Sequence, residues 1–209
     1  MNTAPRRALV VIDVQNEYFA GGGLPIEHPP VELSLPNIAR AMDAARAHGV
    51  PVVVVQHSAP AGAPVFDPGS PGWQLHPEVA RRARDLLVDK PMASVFSGAG
   101  FADWLARERI DTLTIAGYMT HNCDASTIYE AAHRGLKVEW LHDASGSLPY
   151  ENAAGRASAE EIHRVFGVVF HSNFAAVAST QQWIDALKDR VALPLDNVLL
   201  SNRRGRGVL

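Results

Sequence analysis

Leu113-Thr114-Ile115-Ala116 runs into Gly117-Tyr118-Met119-Thr120-His121-Asn122-Cys123-Asp124-Ala125-Ser126-Thr127. The first four residues form an apolar, β-prone segment. Beyond the turn, Ala125, Ile128, Ala131 and Ala132 recur at helical spacing up to Gly135, a good helix stop. The stretch predicts a buried strand turning into a helix, with the chain's single cysteine at the junction. Thr120 is a candidate cap, which places Cys123 in the first helical turn. Backbone N–H groups are unpaired there and the helix dipole favours an anion. A thiol so placed is expected to lose its proton more easily and become a better nucleophile. The competing reading is a lone cysteine buried as a small hydrophobe, and position alone does not choose between them.

The alternation extends in both directions. Ala8 to Ile12 is a continuous apolar run, as expected of a strand covered on both faces, and it ends at Asp13. Val14 to Phe19 then meets Gly21-Gly22-Gly23, a flexible loop. Ile38, Ala41, Met42 and Ala45 have helical spacing, and Gly49 closes that helix. Val52 to Val55 is a second buried strand ending at Gln56-His57. Between Ala59 and Trp73, Pro60, Pro64, Pro68 and Pro71 leave no regular element, and so long a loop is usually functional.

Pro77 to Leu87 reads as a short helix, Val88 to Lys90 as extended, and Phe101 to Arg107 as a helix with Phe101 and Leu105 inward. Thr112 to Ala116 and Leu136 to Leu141 are the third and fourth strands. Ser158-Ala159-Glu160-Glu161 is a capping box ahead of Ile162, Val165 and Phe166, with a start nearer Glu151 equally open. Gly167 to His171 is expected as a fifth strand and Ala176 to Leu187 as the last helix. Strands alternating with helices predict an α/β fold with a parallel sheet, in a single domain spanning residues 1–209. Within it, residues 190–209 are apolar at Val191, Leu193, Leu195 and Val198 to Leu200 and basic at Arg203, Arg204 and Arg206. They are expected to form a C-terminal arm that packs on its own subunit or over a neighbouring one.

Composition narrows the class. The 209 residues are 47% apolar and 20% charged, ordinary for a globular domain with a substantial core. A net charge of −3 gives no reason to expect nucleic acid or an anionic membrane as partner. One cysteine excludes an intramolecular disulfide framework and suits a reducing compartment. No apolar run is long enough to span a membrane. Met1 to Arg7 runs directly into a strand pattern without a signal-peptide block. A cytoplasmic protein is the expectation.

Ligands of parallel α/β sheets bind beyond the carboxyl ends of the strands. Asp13, His57, the Cys123 turn and Asp143 fall at such ends, and Lys90 closes its own extended segment. Taken singly, an Asp ending a strand is often a turn cap, and a Lys after a short helix is usually solvated. Three stretches in order change the balance: LVVIDVQNEYF (9–19), DKPMASVFSGAGFADWL (89–105) and TLTIAGYMTHNCDASTIYEAAHRGLKVEWLHDA (112–144). Together they resemble the isochorismatase-like cysteine hydrolases, a superfamily that includes nicotinamidases, carbamoyl-amide hydrolases and isochorismatases. The likeness runs from about Ala8 to Trp183.

The resemblance implies a Rossmann-like parallel sheet of about six strands with helices on both faces. By position it implies Asp13 as general base, Lys90 as catalytic lysine and Cys123 as nucleophile. It also implies an oxyanion hole from the backbone N–H groups of Met119 and Cys123, and a cis peptide between Tyr118 and Met119. Each role is chemically apt: Asp13 can take the thiol proton and return it to a leaving amine, and an ammonium favours the thiolate. The implied reaction is hydrolysis of a C–N bond in a small-molecule amide through a thioester. The alternatives are an isochorismatase-type vinyl-ether hydrolase and a catalytically silent binding or regulatory module. A homo-oligomer, dimer or tetramer, is implied as well.

Nicotinamidases carry an Asp-x-His pair and a further His for a metal. Here Val55-Gln56-His57-Ser58-Ala59-Pro60 and His76 supply no carboxylate at that spacing, and a stable site normally wants three or more ligands. No metal and no cofactor are expected. Phe19, His57, Trp73, Phe96 and Tyr118 are candidate pocket walls, and His121 and Asn122 are candidate polar contacts to substrate.

Overall fold

A computed structural model describes residues 4–208; the ends of the expected domain, residues 1–3 and 209, lie outside the described residues. The chain runs through β1 (Arg7–Ile12), α1 (Val31–Ala47), β2 (Val52–His57), α2 (Pro77–Ala80), β3 (Leu86–Lys90) and α3 (Phe101–Arg107). It continues through β4 (Thr112–Tyr118), α4 (Ala125–His133), β5 (Lys137–Gly146), β6 (Tyr150–Asn152) and β7 (Gly155–Ala157). The last elements are α5 (Ala159–Asn173), β8 (Ala176–Ala178), α6 (Thr180–Asp189) and α7 (Val198–Gly205).

Six strands form one parallel sheet in the order β3-β2-β1-β4-β5-β8, while β6 and β7 make a separate antiparallel hairpin. Strand side chains alternate between faces, so the continuous apolar runs serve two cores. Leu9, Val11, Val52 and Val54 pack with Ile38 and Met42 of α1 and Trp183 of α6. Ala8, Val10, Ile12, Val53 and Val55 pack with Phe101 and Leu105 of α3, Ile128 of α4 and Phe170 of α5. From β1 the chain builds outward through β2 and β3, then returns to lay β4 on the other side of β1. The strand order reverses between β1 and β4, and a ligand crevice opens at the carboxyl ends of such a pair. Asp13 follows β1 and the Cys123 turn follows β4. Gly117 lets them approach: it has φ +119°, and a Cβ there would stand 2.1 Å from the Ile12 carbonyl oxygen.

Several expected elements differ. Gly167 to His171 is not a strand but part of α5, which the Ser158–Glu161 capping box starts and which runs on to Asn173. Gly167 packs on Trp140, where a Cβ would lie 3.2 Å from the indole. The sixth strand is Ala176–Ala178, expected as helix. It pairs with Glu139–Leu141, and α6 begins only after Ser179, capped reciprocally with Gln182. The expected helix Pro77–Leu87 is a single turn ending at Ala80, because Leu86 onward is drawn into pairing with Val53 onward. No helix starts near Glu151; that stretch is the β6–β7 hairpin. The tail packs on its own chain: Arg7 Nη2 donates to the Val191 carbonyl at 2.6 Å, Asp196 N to the His171 carbonyl at 3.2 Å, and α7 lies on α5. Val191, Leu195, Val198 and Leu199 stay exposed. Among the described residues no helix is long and apolar enough to cross a membrane.

Candidate active site

Three side chains from three strand ends converge in the crevice. Lys90 Nζ lies 2.7 Å from Asp13 Oδ2, and both side chains are fully buried. The same ammonium donates to Cys123 Sγ at 3.4 Å and to the Met92 carbonyl at 3.1 Å. Asp13 lies near enough to the thiol for its charge to act on it, and neither carboxylate oxygen has an aligned hydrogen-bond donor among the described residues. Its backbone is turned into the left-handed region (φ 49°) immediately after β1, a conformation Asp tolerates better than most residues.

Charge balance inside this cluster departs from expectation. Burial and then the Asp13 carboxylate push the Cys123 thiol well above its ordinary value, and Lys90 only partly offsets them. The resting group is a thiol, not the readily formed thiolate that a helix start predicts. Nor does Cys123 sit in a Thr120-capped first turn. Residues Thr120–Asp124 form a π-helical turn ahead of α4. The Thr120 hydroxyl is spent elsewhere, on the Gly146 carbonyl at 3.1 Å and His163 Nδ1 at 2.8 Å. Burial alone would lower Lys90, but Asp13 and then Cys123 reverse that and hold its ammonium above the ordinary range. The cluster is therefore carboxylate, ammonium and neutral thiol, a set that can pass one proton from sulfur to Asp13 while the cation stays fixed.

The Tyr118–Met119 peptide is cis. Met119 N–H has no protein acceptor among the described residues, and it precedes the turn that carries Cys123. A free N–H beside a nucleophile is the kind of donor an oxyanion requires.

The expected pocket residues divide. His57 stands over the cluster's edge, its Nδ1 3.0 Å from the Lys90 carbonyl and its ring against Phe66 at 5.2 Å. Burial and then Lys90 lower its pKa, so it is neutral. Trp73 is half-buried, with Nε1 donating to Ser58 Oγ at 2.9 Å. Phe19 stacks 4.2 Å from His76. His121 sits in the nucleophile's turn with Nδ1 3.3 Å from Ser147 Oγ and Nε2 buried without a partner; burial lowers it to about 4. Asn122 is exposed. Two candidates do not fit as walls. Tyr118 is a core residue, 0% exposed, its hydroxyl 2.8 Å from Ser34 Oγ. Phe96 packs its ring on Phe101 and under the Arg134 guanidinium, at α3 and the end of α4. Asp143 is also structural: it accepts from Thr180 N and Oγ1, both at 2.7 Å, at the start of α6.

Four residues escaped the sequence reading. Gln15 ties the crevice together: Oε1 accepts from His57 N at 2.9 Å, and Nε2 donates to the carbonyls of His57 at 3.0 Å and Trp73 at 2.7 Å. Tyr18, almost fully buried, feels the charges of Cys123 and Asp13 after burial itself. Tyr150 reaches in from the β6–β7 hairpin, its hydroxyl 3.9 Å from Met119 Sδ and its ring edge-on to His121 at 4.7 Å. Asp124, behind the nucleophile, is completely buried. Gln15 stands beside Asn16 and Glu17, and Asp124 beside polar and small residues, so their burial is set by the fold and not marked in the sequence; nothing in the sequence marks a hairpin tyrosine either. Among the described residues no group of three or more His, Cys, Asp and Glu side chains is arranged to hold a metal ion.

A doubly wound parallel sheet with a buried cysteine beside its topological switch point defines an α/β protein of the three-layer class with a candidate nucleophile at the ligand crevice. The isochorismatase-domain profile matches residues 7–182, and the chain belongs to the isochorismatase family of hydrolases. A crystal structure assigned to the isochorismatases, from Burkholderia xenovorans LB400, is 63% identical over 98% of both chains with a TM-score of 0.96. The secreted isochorismatase effector Isc1 of Verticillium dahliae is 33% identical, over 78% of this chain and 87% of its own. The N-carbamoylsarcosine amidase of an Arthrobacter species is 29% identical, over 87% of this chain and 72% of its own.

Proposed function

We propose that this protein hydrolyses a C–N bond of a small-molecule amide, with Cys123 as nucleophile, Asp13 as proton carrier and Lys90 as fixed cation. The observation that carries the reading is Lys90 Nζ in contact with both Asp13 and Cys123, at 2.7 and 3.4 Å, in a buried cluster. As sulfur attacks the substrate carbonyl, the thiol proton passes to Asp13. The ammonium compensates the charge left on sulfur, and the N–H groups of Met119 and Cys123 receive the oxyanion. Collapse of the tetrahedral adduct breaks the C–N bond, and Asp13 returns its proton to the departing amine or ammonia. Water, deprotonated by the freed Asp13, then splits the thioester and regenerates the thiol. Similarity to N-carbamoylsarcosine amidase is compatible with amide cleavage and similarity to the isochorismatase effector Isc1 with the vinyl-ether alternative; the cysteine in contact with Lys90 favours the amide reading.

His57, Trp73, Phe19, His121, Asn122, Tyr18 and Tyr150 are assigned to the substrate side, and no cofactor takes part. A single buried cysteine suits a cytoplasmic setting, and the exposed apolar side chains of the C-terminal arm suit a homo-oligomer. The test is ammonia or amine release from a panel of small amides. Release that disappears in Cys123→Ala supports the reading. Turnover that survives Cys123→Ala points to ether hydrolysis, and a bound but unprocessed ligand points to a silent module.

A further inference from the structure

Asp124 is a buried carboxyl behind the crevice that the mechanism leaves unused. It follows the nucleophile directly, is 0% exposed, and meets Trp140 of β5. There Oδ2 accepts from Trp140 Nε1 at 3.1 Å, while Oδ1 and the neighbouring buried Ser145 Oγ both lack an aligned partner. Buried polar atoms without partners are rare and call for an explanation. A fully buried carboxyl with one aligned donor and no cation in contact among the described residues is held toward its neutral, protonated form.

We propose that Asp124 is a positioning residue that ties the nucleophile's turn to β5 and, by holding or releasing one proton, sets the charge felt by the Asp13–Lys90–Cys123 cluster. The inference rests on Cys123 being the reacting group. The ionisable groups around Asp124 are few. Asp13 and Lys90 act on it through space, Tyr18 and Tyr118 feel its charge, and His163 lies beyond Trp140 with ring centroids 5.1 Å apart. Only Lys90 is cationic, and it is already committed to Asp13. The tyrosines are pushed up by burial, and His163 is lowered to about 4, first by burial. Burial likewise pushes Asp124 up to about 7, against the pull of Trp140 and Ser145. Its proton is therefore the one in this neighbourhood that leaves near neutrality. Loss of that proton adds a second negative charge beside the thiol and opposes formation of the thiolate.

The probe is iodoacetamide, whose reaction with Cys123 reports the thiolate and needs no substrate. In the unaltered protein the rate should climb with pH, flatten as Asp124 ionises near neutrality, then climb again. Asp124→Asn keeps the acceptor for Trp140 but cannot ionise. Its rate should match the parent below that region and exceed it above by about threefold to tenfold, the response to a shift of up to one pKa unit. Trp140→Phe removes the donor and should move the flattening to higher pH. An unaltered protein whose rate rises with no inflection through neutrality overturns the proposal, as does an Asp124→Asn profile that superimposes on the parent or is lowered equally at every pH. Profiles that differ as described, with no amide hydrolysed, leave this inference standing and remove the amidase reading.

Discussion

Replacing Lys90 with methionine leaves Asp13 as a carboxylate with no counter-ion in a site that both side chains share at 0% exposure. Removing one partner of a buried pair destabilises by about 3–5 kcal/mol, because the survivor keeps its desolvation penalty and loses the charge that offset it. In a domain of this size a kcal/mol moves the midpoint by about 2–4 °C, so Lys90→Met should lower it by about 6–20 °C. Asp13→Asn should fall in the same range, since it strands an ammonium that also loses its shift. Asp13→Asn with Lys90→Met has no buried charge to strand and should recover most of the loss. The full cycle is measured by urea and thermal unfolding. pH adds a sign. The folded Lys90 value lies above the unfolded 10.5, so its contribution is fully present below 10.5 and is lost as pH rises through the folded value. The gap between parent and Lys90→Met should be constant from neutrality to that point and close above it. A double variant as unstable as the two single losses summed would refute the coupling, and so would a Lys90→Met protein of unchanged midpoint.

Cys123 should react with iodoacetamide at neutral pH more slowly than free cysteine, since it is a protonated thiol with 5% exposure; timed mass spectrometry measures this, and a faster reaction contradicts the buried-thiol account. Gly117→Ala should destabilise by more than about 3 kcal/mol, combining a forbidden φ with a Cβ 2.1 Å from the Ile12 carbonyl, and soluble yield with calorimetry will show it. Tyr150→Ala should lower stability by no more than about 1 kcal/mol because the residue is 42% exposed, yet raise KM by about tenfold or more as its ring packs against bound substrate; steady-state kinetics on any amide found active decides it.

The sheet was legible wherever a strand is buried on both faces and long enough to show it. Ala8–Ile12, Val52–Val55 and Thr112–Ala116 read directly, and the helices between them carried their own stops at Gly49 and Gly135. What escaped is set by tertiary contact. Ala176–Ala178 has three residues, too few for any period, and is a strand only because Glu139–Leu141 lies beside it. Val168 and Val169 are β-prone yet helical, because the Ser158 cap had already begun the helix and Gly167 lets it close on Trp140. Tyr118 and Phe96 neighbour motif residues in sequence, but one turns into the core beneath α1 and the other toward Arg134.

The thiol shows most clearly where residue identity stops being informative. Position after a strand and before a helix argued for an easily formed thiolate. Burial and the charge of the nearby Asp13 carboxylate outweigh that, and neither is visible in the order of residues. The consequence for the proposed chemistry is specific. A preformed thiolate would need Asp13 only for the leaving group, whereas a protonated thiol needs it from the first step. Asp13→Asn should then abolish acylation itself, seen as loss of the initial burst as well as of steady turnover. Retention of a full burst in that variant would mean that sulfur attacks without giving its proton to Asp13, and the cluster would have to be reassigned with Lys90 alone activating the nucleophile.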